Sequence, residues 1–269
     1  MPALSKDRLE AFYHECNCRR FVHPDPLEFL YAYGDPRDRE LVGLIASALA
    51  YGRVAQILKS VSGVLGPMGP SPCHFLLCTP SRALRAIYGD FKHRFTTGEE
   101  LLVLLQGAKN ALAAFGSLEA CFLAGYRDSD DTILPALNAF VKTLLGRKAT
   151  ESRNSLLPLP DRGSACKRLN LFMRWMVRKD AVDPGGWDRV PLAKLIIPLD
   201  THMHRISRIM GFTRRGQADV GTAIEVTRAF RRFVPEDPVR YDFVLTRLGI
   251  RKDMDMPRFL RDSGLCGYE

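Results

Sequence analysis

Hydrophobic residues recur at intervals of three and four along most of the chain, which is the spacing of an amphipathic helix. One such run covers residues 41–49 and follows Asp35-Pro36, a pair that suits the N-cap and first turn of a helix. A second run covers residues 54–65 and ends at Gly66-Pro67. The pattern therefore predicts two consecutive helices near the start of the chain.

Capping residues mark further helix boundaries. Thr97 and Glu100 have the spacing of a capping box ahead of an apolar run that ends at Gly116, and Ser117 suits the N-cap of a short successor. Another amphipathic stripe covers residues 133–144. We expect a helix at each of these three places.

The C-terminal part of the chain continues the helical pattern. Asp237-Pro238 predicts the start of a helix that carries Val244 and Leu248. The best strand candidate covers residues 192–200, but Pro198 interrupts it and no apolar segment of similar quality is available to pair with it. We interpret this segment as a buried connector, and the predicted fold class is all-α.

The composition indicates a folded protein, because 46% of the 269 residues are hydrophobic and 26% are charged. The seven cysteines are scattered along the chain, which favours a reducing compartment. The longest uncharged apolar stretch, residues 41–52, is shorter than the roughly 20 residues of a membrane span. We therefore expect a cytoplasmic protein without a membrane partner. The chain has 39 Lys and Arg residues and 30 Asp and Glu residues, so its net charge is +9. This positive charge favours a polyanionic partner such as nucleic acid.

Residues 159–180 run from a proline-glycine turn into a helix, and this helix is the first candidate for chemistry. At about 100° per residue, Lys167, Arg174 and Arg178 lie within about 40° of one another, opposite an apolar stripe. The pattern therefore predicts a solvated basic face. The helix dipole disfavours the ammonium form of a lysine in the first turn, which suits an amine nucleophile. Both interpretations of Lys167 stay open at this point.

Residues 198–212 form the second candidate segment. Asp200 stands immediately before a helix whose inner face carries Met203, Ile206 and Met210. Asp is a preferred N-cap, and the backbone N–H groups at a helix start stabilise its negative charge. A structural role and a catalytic role are therefore compatible at this position.

Two features of the chain resemble motifs of the helix-hairpin-helix DNA glycosylase superfamily. One is Lys167, early in its helix, and the other is the sequence Leu199-Asp200-Thr201-His202 followed by Arg205. Residues 44–50 and 243–249 resemble an early and a late helix of the same superfamily. The aspartate lies 33 residues after Lys167, a separation that is closest to the archaeal 8-oxoguanine DNA glycosylase branch. The stretches around the lysine and the aspartate also resemble a sporadic bacterial family with no assigned function.

The resemblance implies two helical domains with a cleft between them, one of residues 36–190 and the other of residues 1–35 plus 191–269. It also implies a role in DNA repair near the nucleoid, by excision of a damaged base, such as an oxidised purine, from duplex DNA. Lys167 would attack the sugar C1′ as the base leaves, and the resulting Schiff base would permit strand cleavage at the abasic site. Asp200 would assist, and the reaction would need no metal, cofactor or obligate protein partner.

Supporting roles follow from the same resemblance. Tyr51 or Arg53 would fill the space left by the extruded base, and Phe172 and Trp175 would contribute to the base pocket. The residues implied to hold the DNA backbone are Gly163, Ser164, Arg168, Arg174, His202 and Arg205. The superfamily hairpin has a G-x-G core just before its lysine, whereas this chain has a single glycine there.

Two other classes of function stay open. The same fold could bind DNA or RNA without catalysis, with Lys167 contacting a phosphate. A metal-dependent hydrolase could use Asp200, His202 and His204, although on a helix the two histidines point about 200° apart.

Overall fold

The computed structural model describes residues 5–146 and 154–250, and helices dominate this part of the chain. The helices are α1 (Lys6–Cys16), α2 (Pro36–Ala48), α3 (Val54–Leu65), α4 (Pro72–Cys78), α5 (Ser81–Tyr88), α6 (Gly98–Phe115), α7 (Leu118–Leu123), α8 (Leu134–Leu145), α9 (Lys167–Val177), α10 (Thr201–Ile209), α11 (Val220–Arg231) and α12 (Asp242–Ile250). Short 3-10 turns lie at Arg19–Phe21, Pro26–Ala32, Gly66–Met68, Pro160–Arg162 and Leu192–Lys194. Two short antiparallel strands, β1 (Lys92–His93) and β2 (Thr96–Thr97), form a hairpin. The all-α prediction is confirmed.

The predicted division into two domains, residues 36–190 and residues 1–35 plus 191–269, stays a prediction. The stretches of these domains that lie outside the described part of the chain are residues 1–4, 147–153 and 251–269. Of the helices described, none combines the length and the apolar character needed to cross a membrane.

Side-chain caps explain several of the predicted helix boundaries. Asp35 accepts a hydrogen bond of 2.8 Å from the backbone N–H of Arg37 at the start of α2. Thr97 and Glu100 form the reciprocal capping box at the start of α6, which ends where Gly116 takes the left-handed conformation at φ 82°. These boundaries are set by contacts between neighbours in sequence, and the predictions made for them are confirmed.

The last described helix begins later than the sequence predicts. Helix α12 starts at Asp242, and residues 238–241 form turns instead. The carboxylate of Asp237 accepts a hydrogen bond of 2.9 Å from Arg178 Nε. The prediction of a helix start at Asp237-Pro238 is therefore wrong, because this aspartate takes part in a tertiary ion pair instead of capping a helix.

Helix α9 lies in the centre of the core and packs along α2. Its Phe172, Trp175 and Met176 are almost completely buried. The two helices approach closely at Gly43 of α2, where a Cβ atom would lie 3.3 Å from the Met176 sulfur. The prediction that Phe172 and Trp175 contribute to a base pocket is wrong, because both rings are covered by the core packing of α9.

The basic face predicted on α9 is also buried. Arg174 and Arg178 each expose only 4% of their side-chain surface. Asp183 lies between them, with its Oδ1 3.1 Å from Arg174 Nη2 and its Oδ2 bonded to Arg178. Arg174 also pairs with Asp242. The prediction that Arg174 holds the DNA backbone is therefore wrong, because buried aspartates surround its guanidinium.

Glu40 is a buried carboxylate that joins α2 to the start of α7. It accepts hydrogen bonds from the backbone N–H of Leu118 at 2.6 Å, from that of Glu119 at 3.1 Å and from Trp187 Nε1 at 3.0 Å. Burial raises the pKa of Glu40 to about 7, and the three hydrogen bonds offset only part of this effect.

We expect Glu40 to lower the stability of the fold as the pH rises from about 4.5 to about 7. Its pKa is higher in the folded than in the unfolded chain, so its stabilising contribution is complete below 4.5 and is lost as the pH rises through 7. Urea unfolding of the wild type and of Glu40→Gln between about pH 5 and pH 8 isolates this carboxyl. A difference between the two proteins that does not change with pH would contradict the expectation.

Candidate functional site

A cavity of about 800 Å³ opens where the starts of α9 and α10 meet the end of α2. Lys167, the first residue of α9, and Asp200, which precedes α10, both line this cavity. Many of the other lining side chains are apolar, among them Ile57, Leu171 and Leu199. A cavity of this size and character suits a small organic ligand.

The turn before α9 places Lys167 at the cavity. Gly163 is left-handed at φ 83°, and Cys166 has φ 47°, which is uncommon for a residue with a side chain. The Ser164 hydroxyl oxygen accepts a hydrogen bond of 3.1 Å from the Cys166 N–H and closes the turn. Lys167 Nζ donates to the carbonyl oxygen of Ala50, 3.3 Å away, just beyond the end of α2. The lysine amine therefore rests against a neutral oxygen.

The loop before α11 braces the same turn. The backbone N–H of Val220 donates to the Gly163 carbonyl at 3.1 Å, and Ser164 forms an antiparallel bridge with Asp219. Gly163 is exposed and Ser164 is half-buried. The predicted phosphate contacts of these two residues stay predictions, and the turn that carries them is held by backbone hydrogen bonds.

Asp200 is at once a helix cap and part of the cavity wall. Its Oδ1 accepts a hydrogen bond of 2.7 Å from the backbone N–H of Met203, which confirms the predicted N-cap. A smaller cavity of about 60 Å³ borders Asp200, Lys167 and Asp242. Burial raises the pKa of Asp242 to about 6; the Arg174 guanidinium opposes this shift, and the negative charge of Asp200 adds to it. The carboxyl groups of Asp200 and Asp242 therefore interact electrostatically beside the cavity.

Tyr51 and Arg53, the residues predicted to fill the space of an extruded base, follow the end of α2. Tyr51 lines the cavity and is half-buried, with its hydroxyl oxygen 2.7 Å from both the His93 carbonyl and the Thr96 hydroxyl. Arg53 is exposed at the start of α3. The β1–β2 hairpin therefore holds Tyr51 in place, whereas Arg53 faces solvent.

The turn between β1 and β2 carries an exposed aromatic residue that no sequence pattern predicted. Phe95 is 65% exposed, and its ring lies 4.9 Å from that of Tyr51. Arg94, directly before it, is left-handed at φ 55°. Strands β1 and β2 have only two residues each, which is too short to show the alternation of apolar and polar positions that indicates a strand. The sequence therefore does not predict this turn. Phe95 is an exposed aromatic on a braced turn close to the cavity.

Arg168 is predicted to hold the DNA backbone, but its guanidinium bonds to the protein. It donates to the carbonyl oxygen of Ala48 at 2.6 Å and to that of Ser155. It also lies 4.7 Å from the centre of the Tyr51 ring. Because the last carbonyls of a helix lack partners within the helix, Arg168 links α9 to the end of α2 and is not a phosphate ligand.

His202 and Arg205, the remaining predicted backbone contacts, lie on α10. His202 borders the cavity and packs against Gly249 of α12, where a Cβ atom would lie 2.6 Å from His202 Nδ1. Arg205 is exposed, as a phosphate contact requires. Both roles stay predictions.

The side chains required by the metal-hydrolase alternative do not come together. His204 Nε2 lies 2.9 Å from the Arg215 carbonyl, whereas His202 borders the cavity. Within residues 5–146 and 154–250, no three His, Cys, Asp or Glu side chains lie close enough together to hold a metal ion. The hydrolase alternative therefore has no support in the described geometry.

An ion pair that no sequence pattern predicted forms part of the cavity wall. Arg247 of α12 exposes 4% of its side-chain surface, pairs with Asp25 and lies 4.6 Å from the centre of the Phe243 ring. Both partners of the pair line the large cavity. In the sequence, Arg247 is the only charged residue in the largely apolar stretch 243–249, and this is the feature that could have indicated a buried ion pair.

Comparison with known proteins places the chain in a family. Residues 25–251 match the family described as Protein of unknown function (DUF2400), and this range includes both Lys167 and Asp200. No curated protein and no solved structure matches the chain. Because the family match spans well over half of its length, the chain belongs to the DUF2400 family.

Proposed function

We propose that this protein is a DNA base-excision glycosylase with abasic-site lyase activity, in which Lys167 is the nucleophile and Asp200 assists it. The observation that carries the proposal is that both side chains line one cavity of about 800 Å³, although 33 residues separate them in sequence. An amine nucleophile and a nearby carboxylate are the groups that imine chemistry at a sugar carbon requires.

The surroundings of Lys167 support its role as the nucleophile. It is the first residue of α9 and borders the cavity. Its hydrogen bond is to the neutral carbonyl of Ala50, and such a bond is weaker than a pair with a carboxylate. The amine can therefore exchange this contact for a ligand in the cavity.

In the proposed reaction, Asp200 first takes one proton from the Lys167 ammonium. The amine attacks C1′ of the sugar, the bond between C1′ and the base breaks, and its electron pair leaves with the base. The base then takes the proton from Asp200, which returns to the carboxylate. A second proton moves from the lysine nitrogen to O4′ as the sugar ring opens, and the product is a protonated imine between Lys167 and C1′.

The charge distribution supports DNA as the substrate. The net charge of the chain is +9, and Arg53, Lys92 and Arg94 are all exposed close to Tyr51 at the cavity. Arg205 adds an exposed cation on α10. Cations of this kind bind phosphates with release of condensed counterions, so we infer that the DNA backbone lies across this surface.

Phe95 fits the gap-filling role better than Tyr51. An enzyme that acts on a base in a duplex must extrude it, and an exposed aromatic can stack in the gap. Tyr51 is held by hydrogen bonds to the hairpin, whereas the Phe95 ring is 65% exposed above it. We infer that Tyr51 supports Phe95.

We expect Phe95→Ala to weaken binding to a duplex that contains a stable abasic-site analogue by about 1–3 kcal/mol, the contribution of one base stacked on an aromatic ring. Fluorescence anisotropy measures this affinity. The matched control is Phe115→Ala, which removes a phenylalanine that is 41% exposed at the other end of α6. Equal losses in the two variants would argue against stacking by Phe95.

The proposed function is tested with the full chain and a panel of duplexes that each carry one oxidised, deaminated or alkylated base, together with a duplex that has an abasic site. We expect base release from at least one damaged duplex. We also expect a covalent complex with abasic DNA after addition of borohydride, because reduction makes the imine bond permanent. If no duplex is cut and none is trapped, a DNA- or RNA-binding module without catalysis becomes the better account.

A further inference from the structure

The small cavity of about 60 Å³ borders both the groups of the proposed reaction and helix α12. Lys167 and Asp200 form part of its wall, and α12 contributes Asp242, Thr246 and Arg247. A water molecule occupies about 30 Å³ in the liquid, so this cavity has room for one or two of them. Its size therefore suits water next to the reacting groups.

Asp242 and Arg247 each have a buried polar atom that bonds to none of the described residues. Asp242 exposes 2% of its side-chain surface and pairs with Arg174 through Oδ2, whereas its Oδ1 accepts no hydrogen bond. Arg247 pairs with Asp25 through Nη2, whereas its Nε donates none. Buried polar groups are normally satisfied, and buried water is the usual partner when the protein supplies none. An acceptor and a donor on the wall of one small cavity are the partners that such a water requires.

Asp242 is better placed than Asp200 to act on a water molecule in this cavity. Asp200 Oδ1 accepts the hydrogen bond from the Met203 N–H, so the cap of α10 uses one of its oxygens. The pair with Arg174 fixes the Asp242 carboxylate and leaves Oδ1 available. Asp242 therefore offers a fixed acceptor beside Lys167.

We propose that a water molecule in the small cavity hydrolyses the imine between Lys167 and C1′, and that Asp242 is the general base for this step. The inference rests on the proposed base-excision function and adds the reaction that frees the enzyme from its DNA product. Asp200 assists formation of the imine, whereas Asp242 assists its removal. Arg247 Nε donates a hydrogen bond to the water and orients it.

The step begins when Asp242 takes a proton from the water and the water oxygen bonds to C1′. One electron pair of the C=N bond moves to the lysine nitrogen, which becomes a neutral amine. Asp242 then returns the proton to this nitrogen, and the bond between C1′ and nitrogen breaks with its electron pair on the nitrogen. The hydroxyl proton follows to the nitrogen, which leaves an aldehyde at C1′, the Lys167 ammonium and the Asp242 carboxylate.

The electrostatic surroundings of Asp242 suit a base that works near neutral pH. Burial raises the pKa of Asp242 to about 6; the Arg174 guanidinium opposes this shift, and the carboxylates of Asp200 and Asp183 add to it. The other charged side chains that border the cavity are Asp25, Lys167 and Arg247. Because the carboxylate is the form that accepts a proton, hydrolysis should slow as the pH falls through about 6.

The test measures the lifetime of the imine. The full chain is incubated with a labelled abasic duplex, an excess of unlabelled abasic duplex is added, and samples are treated with borohydride at intervals. We expect Asp242→Asn to slow the loss of trappable complex by about tenfold or more, because it removes the general base. We also expect the wild-type rate to fall as the pH is lowered from about 8 to about 5, and the rate of the variant to lose this dependence.

The matched control is Asp237→Asn, which removes a carboxylate from the same buried ion-pair network. Asp237 pairs with Arg178 and does not belong to the described wall of the small cavity. If Asp242 acts only by stabilising the fold, the two variants should behave alike. We expect the imine of the control to decay at the wild-type rate and with the wild-type pH profile.

Thr246→Ile keeps the test decisive if Asp242→Asn does not fold. This change preserves every charge and places a larger apolar side chain at the cavity, where it competes with water for space. We expect it to slow the decay as well, and the wild-type pH profile needs no variant. A wild-type rate that is constant over this pH range, or folded variants that decay at the wild-type rate, overturns the inference. Wild-type trapping in those same cases leaves the proposed function standing, whereas failure of the wild type to be trapped overturns both.

Discussion

Lys167→Gln is expected to abolish borohydride trapping and strand cleavage while most of the DNA affinity remains. The glutamine amide is not a nucleophilic amine, so no imine can form with C1′. Glutamine is one bond shorter than lysine, so it fits the space of Lys167 and keeps a polar group at the start of α9. Binding is spread over many cations, and the loss of one removes about one phosphate contact.

Trapping on an abasic duplex and anisotropy at two salt concentrations measure the two halves of this expectation separately. The matched control is Lys6→Gln, which makes the same change of charge at an exposed lysine that is also the first residue of its helix, α1. We expect this control to be trapped like the wild type. Trapping of Lys167→Gln at the wild-type level would show that another amine is the nucleophile.

Asp183→Asn is expected to lower the free energy of unfolding by about 3–5 kcal/mol, the cost of removing one partner from a buried ion pair. Asp183 exposes none of its side-chain surface and lies between Arg174 and Arg178. A neutral amide cannot balance two buried guanidinium groups. The carboxylates of Asp180, Asp237 and Asp242, which also pair with these arginines, would be the only negative charges left to balance them.

Chemical denaturation followed by circular dichroism measures this difference. The control is Asp161→Asn, because Asp161 pairs with Lys142 at 2.8 Å on the surface, where both side chains are about half exposed. Exposed pairs contribute little to stability, so we expect almost no change there. If both substitutions have the same small effect, the buried ion pairs of Asp183 contribute no more to stability than an exposed pair does.

Local contacts made several features of the fold predictable. Asp35, Thr97 and Asp200 each cap a helix by bonding to a backbone N–H two or three residues further on. Gly116 ends α6 because its backbone is left-handed. Each of these contacts joins residues that are neighbours in the chain, so the order of residue types is enough to identify it.

Burial on α9 was not predictable in the same way. A helical wheel shows that Arg174 and Arg178 share a face, but it does not show what packs against that face. The acidic partners of this face include Asp237 and Asp242, which lie about 60 residues further along the chain. The same limit applies to Trp175, whose ring is covered by the core.

The helical class, several helix boundaries and the candidate groups Lys167 and Asp200 could all be predicted from the order of residues. That these two side chains line one cavity, together with Arg247 and Asp25 from opposite ends of the chain, became clear from the folded chain alone. The difference lies in the range of the interactions. Capping bonds join residues within a few positions of each other, whereas burial and the walls of a cavity depend on which distant helices pack together.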